Sequence, residues 1–463
     1  MIIAFNLARP IAMPAHASSS TAFSFSRERL QDIAADILDY ARQQGATACD
    51  TDVSEGFGQS VAVRMGEVET IEYNRDKGVG VTVYLGQRRG YASTSDFGRD
   101  ALRATVDAAL SIARFTAPDP CAGLPDVELL AKDCPDLDLY YPWELPVEEA
   151  IELARRCEAA AFAVDKRIKN SEGGSVSTQQ SHFMSANSLG FMGGYSTSRH
   201  YISCAVIAGK GDNMQRDDWY TTRRDAADLD TPEMVGAIAG RRAVARLGSR
   251  QIPTGSVPVL FEAPLAAGLI GNFVHAVSGG SLYRKSSFLL DSLGKPVFSP
   301  LVNISERPFM AKAFGSSPFD DDGVVTKARE VVQGGVVNGY FLGTYSARKL
   351  GMQTTGNAGG SHNLLVAPGE LDQAGLLKLM GRGLLLTEML GSGVNYITGD
   401  YSRGAAGFWV ENGEIAYPVE EITIAGNLKD MFKGIQAVGN DVLVRGTKHV
   451  GSVLIDRMTI AGS

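Results

Sequence analysis

No cysteine occurs after Cys204 in this chain of 463 residues, and the five present (Cys49, Cys121, Cys134, Cys157, Cys204) include no CxxC pair. An odd, scattered set of this kind excludes a disulfide framework and a zinc knuckle and fits reduced thiols in the cytosol. Histidine is as sparse. The six residues, at positions 16, 182, 200, 275, 362 and 449, include no pair closer than His182 and His200, and none is followed by glutamate. The HExxH arrangement, which sets two imidazoles and a carboxylate on one helical face, is therefore absent. Positive charge is also short. With 44 basic against 52 acidic residues the net charge is −8, which argues against a dedicated nucleic-acid binder.

Long hydrophobic runs are missing too. The stretch 263–283 carries no charged residue, but Pro264, Gly268, Gly271, Asn272 and His275 interrupt it. It reads as a buried helix ending at the Gly279-Gly280 turn, not a membrane span. His275 on that apolar helix reads as a hydrogen-bonded core histidine. At the start, Ala15-His16-Ala17 imitates a signal-peptidase site. Asn6, Arg9 and Pro10 nevertheless break the apolar segment and no basic region precedes it. Residues 1–27 are expected to be a disordered extension.

What the chain has in quantity is glycine: 52 residues, 17 before position 232 and 35 from there on, without a collagen period. The halves differ accordingly. In the first, Leu30, Ile33, Ile37, Leu38 and Ala41 recur at helical spacing over Arg27–Gln44. Short alternating runs at 60–65, 67–73, 79–85 and 88–94 follow, then helices at 99–114 and 147–164 joined by a Pro-rich connector. More strands lie between Ile168 and Tyr220. Thr231-Pro232 is a hydroxyl cap followed by a first-turn proline. Pro253–Pro258 is the best boundary. Beyond it the chain is Gly-rich and mostly β, with helices at 265–277 and 373–390 and an Asn412-Gly413 hairpin turn. The expected fold is α+β: a helix-plus-antiparallel-sheet domain over 28–252, then a barrel- or sandwich-like domain over 253–463.

Several motifs carry chemical weight. Ser346-Ala347-Arg348-Lys349 matches SxxK, but no KTG strand accompanies it, so a helix start with an exposed lysine is the plainer reading. Asp320-Asp321-Asp322-Gly323 lacks the alternate spacing of a calcium loop and reads as a solvated acidic turn. Ser281–Lys285 and Gly399–Gly404 each set arginine beside tyrosine, serine and glycine. Tyr283, Arg284, Asp400, Tyr401 and Arg403 are therefore candidates for gripping an extended peptide or meeting a partner. A structural Asp–Arg pair closing a loop is the competing reading.

The runs GGSLYRKSSFLLD (279–291), TYSARKLG (344–351), GDYSRGAAGFWVENG (399–413) and IAGNLKDM (424–431) resemble the PmbA (TldE) branch of the TldD/PmbA metallopeptidase family. Gly66–Glu69 and Ala117–Gly123 fit the same branch. The resemblance runs from about residue 28 onward. It implies a cytoplasmic two-chain metallopeptidase that degrades or matures unfolded proteins and peptides, in which a TldD-like subunit is the partner. In the TldD branch the zinc sits on an HExxxH helix with a late cysteine. The corresponding positions here are Gly271, Asn272 and Ala276, so the resemblance implies no catalytic or metal residue and no bound cofactor on this chain. The zinc is expected on the TldD-like partner. In isolation a homodimer is expected. The alternatives are a self-sufficient peptidase with an unorthodox site, through Ser346 or His275, and a non-proteolytic regulator that binds a protein.

Overall fold

The computed structural model describes residues 23–462. Its first half contains α1 (Arg27–Gln43), β1 (Ala48–Arg64), β2 (Glu67–Leu85), β3 (Arg88–Thr94), α2 (Arg99–Phe115) and α3 (Val147–Val164). These are followed by β4 (Ile168–Asn187), β5 (Met192–Gly193), β6 (Ser196–Ala208), β7 (Gln215–Arg223) and α4 (Pro232–Ala245). The strands form one antiparallel sheet in the order β3-β2-β1-β4-β6-β7, with β5 added on β4. All four helices lie on the same face. α1 and α2 cover Cys49, Val53, Val79, Val81, Val83 and Met184, while α3 and α4 cover Val61, Val63, Val176, Ile202 and Val206. Because side chains alternate along a strand, the even-numbered residues of β1 are delivered to the opposite face.

The second half contains β8 (Gly255–Phe261), α5 (Ala263–Ala276), α6 (Gly279–Tyr283), β9 (Ile304–Glu306), β10 (Arg329–Gln333), β11 (Val336–Val337), α7 (Thr344–Lys349), β12 (Leu364–Val366) and α8 (Gln373–Met380). It ends with β13 (Gly383–Leu390), β14 (Asp400–Glu411), β15 (Glu414–Asn427), α9 (Leu428–Lys433), β16 (Ile435–Val438), β17 (Lys448–His449) and β18 (Val453–Ala461). Strands β15-β14-β13-β8-β18 close on themselves through the β15–β18 pairing, so this part is a five-stranded barrel with β16 attached. A second small sheet, β11-β10-β9-β12-β17, packs beside it. One large core, including Phe261, Phe273, Phe298 and Phe432, joins the barrel to α5 and that sheet. The mixed α+β architecture agrees with the sequence reading.

Local details differ from expectation where tertiary pairing overrides punctuation. Residues 74–78, read as a turn, are strand, because Asn74–Gly78 pair with Gly58–Ser54 along an unbroken β1–β2 ladder. The helix expected over 373–390 stops at Met380. Gly381 takes φ +67°, and Leu384–Leu386 pair in parallel with Val259–Phe261. Gly279 and Gly280 open α6 instead of forming a turn, and an added Cβ on Gly279 would lie 2.1 Å from Ser346 Oγ. The hairpin turn is as read, with Asn412 and Gly413 at φ 52° and 75°. Of the extension expected over 1–27, residues 1–22 lie outside the described residues. Phe23 stacks on His182 at 3.9 Å, and the amides of Ser24 and Phe25 donate to the buried Glu55 carboxylate at 2.9 and 3.1 Å. Ser26 caps α1. No helix among the described residues is long and apolar enough to cross a membrane.

The two halves are fixed to each other by buried charge. Arg242 on α4 reaches Asp217 on β7 at 2.9 Å and Glu262 at the mouth of the barrel at 2.7 Å. Arg246 bridges to Glu388 of β13 at 2.5 Å, and Arg445 lies 3.9 Å from the Trp219 ring. Removing one partner of such a pair strands the others without compensation. Arg242→Met is expected to destabilise the protein by about 3–5 kcal/mol, read as a lowered thermal midpoint. A midpoint within a degree of the parent would refute that role.

Candidate functional site

Two separate surfaces carry the candidate groups. The first is the solvent face of α5. Gly271, Asn272 and His275 lie on it, whereas Ala276 is fully buried in the core. The Tyr396 hydroxyl donates to Asn272 Oδ1 at 2.8 Å, and the exposed His275 ring packs on Tyr396 at 4.0 Å. His275 is thus a surface ring, not the core histidine that the apolar helix suggested. Lys448 passes Gly271, its Cε 3.6 Å from where a Cβ would stand, and burial lowers its ammonium pKa. Asn272 is an amide whose oxygen already accepts a hydrogen bond, and Gly271 and Ala276 carry no donor atom. Gly271, Asn272 and Ala276 do not fit a metal, since none supplies the imidazole, thiolate or carboxylate that zinc requires, and His275 beside them is a lone imidazole.

The five candidates from the tyrosine–arginine motifs divide. Tyr283 and Arg284 sit at the end of α6, where the Arg284 guanidinium donates to the Tyr283 hydroxyl at 3.1 Å and remains exposed. Arg403 lies close enough to Tyr396 for its charge to favour the phenolate, opposing burial, and donates to the Gly391 carbonyl. Its Nε is buried without a partner. Tyr401 is 2% exposed and packs in the barrel core with its hydroxyl on Met389 Sδ. Asp400 accepts from Thr398 at 2.6 Å and from Asn427 at 3.1 Å, holding the ends of β14 and β15 together. Arg284 is therefore exposed and Tyr283 and Arg403 are half-buried, while Tyr401 serves the barrel core and the exposed Asp400 ties its strands together. Ser346 donates to the Gly343 carbonyl at 3.1 Å, and Lys349 is held by Asp119 at 3.0 Å. The SxxK pair is thereby separated.

The second feature is a cavity of about 540 Å³ between the helix-free face of the sheet and the loop before β10. The register explains its walls. Asp50 is paired with Thr82, Asp52 with Ser185 and Tyr84 with Arg89, so all these side chains project to one face. The second half contributes Asp321, Asp322, Thr344 and Tyr345. Asp320–Gly323 is not the solvated turn expected. Asp320 is 3% exposed and accepts from the amides of Asp322, Val324 and Ala358, at 3.0, 2.9 and 2.9 Å. Burial, then the neighbouring Asp322, pushes its carboxyl up to about 7 against those amides. Burial likewise raises Asp50 to about 7; Thr82 and Arg89 oppose this, while Asp52 and Asp322 add to it. Asp52 and Asp321 are open to the cavity, yet the surrounding protein raises both. The sequence signal was the Asp-Thr-Asp alternation at 50–52. It becomes informative only when β1 is known to carry a helix layer on its odd side.

Family models of the PmbA/TldA metallopeptidases match three successive parts of the chain: domain 1 at residues 49–113, the central domain at 140–247 and the C-terminal domain at 254–462. The chain is 52% identical over 410 residues to the metalloprotease PmbA of Escherichia coli O157:H7, covering 89% of this chain and 91% of that protein. It is 46% identical over 451 residues to the metalloprotease PmbA homolog of Haemophilus influenzae, covering 96% and 99%. A Bacteroides thetaiotaomicron crystal structure, whose name links it to modulation of DNA gyrase, superposes with TM-score 0.90 at 27% identity, covering 95% of this chain and all of that one. TldE of Thermococcus kodakarensis shares the fold, with TM-score 0.80 at 19% identity over 93% of this chain and all of that one. The chain belongs to the PmbA/TldD metallopeptidase family, on its PmbA branch.

Asp50 and Asp320 hold protons in the folded state that the unfolded chain has released. Their contribution to stability is therefore present below about pH 4, the unfolded carboxylate value, and is lost as pH rises through about 7. Thermal midpoints should fall between pH 6 and pH 8. Asp50→Asn should raise the pH 8 midpoint by about 2–4 °C, the shift that roughly 1 kcal/mol produces in a protein of a few hundred residues, and flatten that slope. An unchanged slope would show that Asp50 ionises freely.

Proposed function

We propose that this chain is the peptide-holding subunit of a two-chain cytoplasmic metallopeptidase acting on unfolded proteins or peptides. The zinc resides on a TldD-like partner. The observation that carries this reading is the face of α5. By the resemblance this helix corresponds to the family's metal-binding helix, but it carries glycine at 271, an amide held by Tyr396 at 272, and at 276 an alanine buried in the core. A hydrolytic zinc needs three protein donors and an open position for water, and an amide cannot replace the glutamate as proton acceptor. The names of the relatives support peptidase chemistry for the assembly.

The exposed and half-exposed groups of these motifs suit binding. Arg284 and Tyr283 present a guanidinium and a phenol at the end of α6, and Arg403 presents a second guanidinium beside Tyr396. Guanidinium groups donate in pairs to peptide carbonyls or a terminal carboxylate. This chain would thus orient a peptide and exclude water, while the bound metal of the partner supplies a Lewis acid and an activated water.

Metal analysis and peptide cleavage, on the purified chain alone and after mixing with a TldD-like subunit, test the reading. The expected result is no stoichiometric zinc and no cleavage alone, with cleavage on mixing. Stoichiometric zinc on the isolated chain would overturn it in favour of a self-sufficient peptidase, and failure to associate with or activate any TldD-like chain would favour a protein-binding regulator. Ser346→Ala should leave the activity of the mixture unchanged within twofold. Arg284→Ala should weaken peptide binding by about 1.5–3 kcal/mol, the value of hydrogen bonds to a charged group, read as a raised KM at constant kcat.

A further inference from the structure

The acidic cavity between sheet and second half takes no part in the arrangement around α5, yet it has the features of a built binding site. Five carboxylates line it: Asp50 and Asp52 from β1, Asp321 and Asp322 from the loop opposite, and Asp119, which is paired with Lys349 at 3.0 Å. The electrostatic influence of Asp322 on Asp50, and of Asp52 on Asp321, shows that the two pairs face each other across the opening. Among the described residues Arg89 is the one cationic side chain in its wall, and the nearby Lys349 is taken up by Asp119. Concentrating like charges in a shielded space is unfavourable unless something compensates.

An independent observation points the same way. Thr344 is only 5% exposed and lines the cavity, and its hydroxyl has no hydrogen-bond partner, although its amide donates to Asp322 at 2.8 Å. Buried hydroxyls are normally satisfied, and each exception calls for a reason such as a missing ligand. Aromatic rings complete the walls. Tyr84, Tyr91 and Tyr345 stand among the carboxylates, a combination that suits a cation carried on an organic group. A bare metal ion fits less well, since the described residues contain no group of three or more His, Cys, Asp or Glu side chains arranged to hold one.

We propose that this cavity is a specificity subsite that receives a cationic group of the peptide, an ammonium or guanidinium, between Asp50, Asp52, Asp321 and Asp322. Tyr345 links it to the end of α6. Its ring meets Tyr283 edge-on at 5.8 Å, so a peptide held at Tyr283 and Arg284 has the cavity within side-chain reach. The assignment rests on the reading of the chain as a peptide holder and adds the charge of what it holds. It also explains why carboxylates are kept where they weaken the unliganded fold, a pattern expected at binding sites.

The test uses the full chain and fluorescence anisotropy of an unstructured peptide labelled at its C-terminus, with an acetylated N-terminus and one central arginine. A second peptide replaces arginine by citrulline, and a third carries citrulline with a free N-terminal amine. At least tenfold tighter binding of the arginine or the free-amine peptide over the neutral one is expected, and the comparison identifies which cation is received. The advantage should vanish in the Asp52→Asn/Asp321→Asn variant, whose affinity for the neutral peptide stays within twofold and whose thermal midpoint at pH 8 is not lowered. Equal binding of all three peptides by the parent would overturn the subsite and leave the peptide-holding reading standing. No binding of any peptide would overturn both. A rise in the thermal midpoint with magnesium or calcium chloride alone, abolished in the variant, would replace the organic cation by a metal ion and overturn the assignment.

Discussion

The two-residue repeat of strand β1 is the constraint on which the rest of this protein turns. Its odd positions, Cys49, Val53, Val61 and Val63, are buried under four helices. Its even positions, Asp50 and Asp52, must then point the other way, toward the second half of the chain. A slip of one residue would drive aspartates under α1 and expose the valines. The hydrophobic layer therefore fixes the register, and the register fixes where the carboxylates go. The site is set by the core on the opposite face.

That arrangement becomes a cavity only because the second half is held in place. Arg242 joins α4, β7 and the barrel through Asp217 and Glu262, and Arg224 donates to the carbonyls of Ala313 and Phe314 at 3.2 and 3.0 Å. The Pro-rich connector contributes as well, since Val325 and Ala131 exchange backbone bonds with Leu129 and Gly323. What reads in the sequence as a linker is a strut that holds the acidic loop against the sheet.

The architecture was legible where local chemistry decides it. Thr231-Pro232 starts a helix because a hydroxyl cap and a fixed φ act within one turn, and Asn412-Gly413 turns a hairpin for reasons contained in two residues. It was illegible where distant strands decide. Residues 383–390 look helical until Val259–Phe261 claims them as a barrel neighbour. The site followed the same rule. The tyrosine–arginine motifs could be found, but nothing local separates Tyr401, sealed in the core, from Tyr283, which is not. Asp50 and Asp321 are unremarkable singly and acquire meaning only through proximity.

Closure of the barrel bears on how this protein is made. Strand β18 completes the ring by pairing with β8, Ile460 beside Gly255, while its other edge meets β15 and β16. Everything between those strands must leave the ribosome before the ring can shut. Until then α5 and its apolar neighbours lack their cover. Long-range pairing of this kind is slow and exposes sticky surface in the interval. The second half is therefore the part of the nascent chain with most to gain from a chaperone, and the sheet-and-helix half can form while it waits.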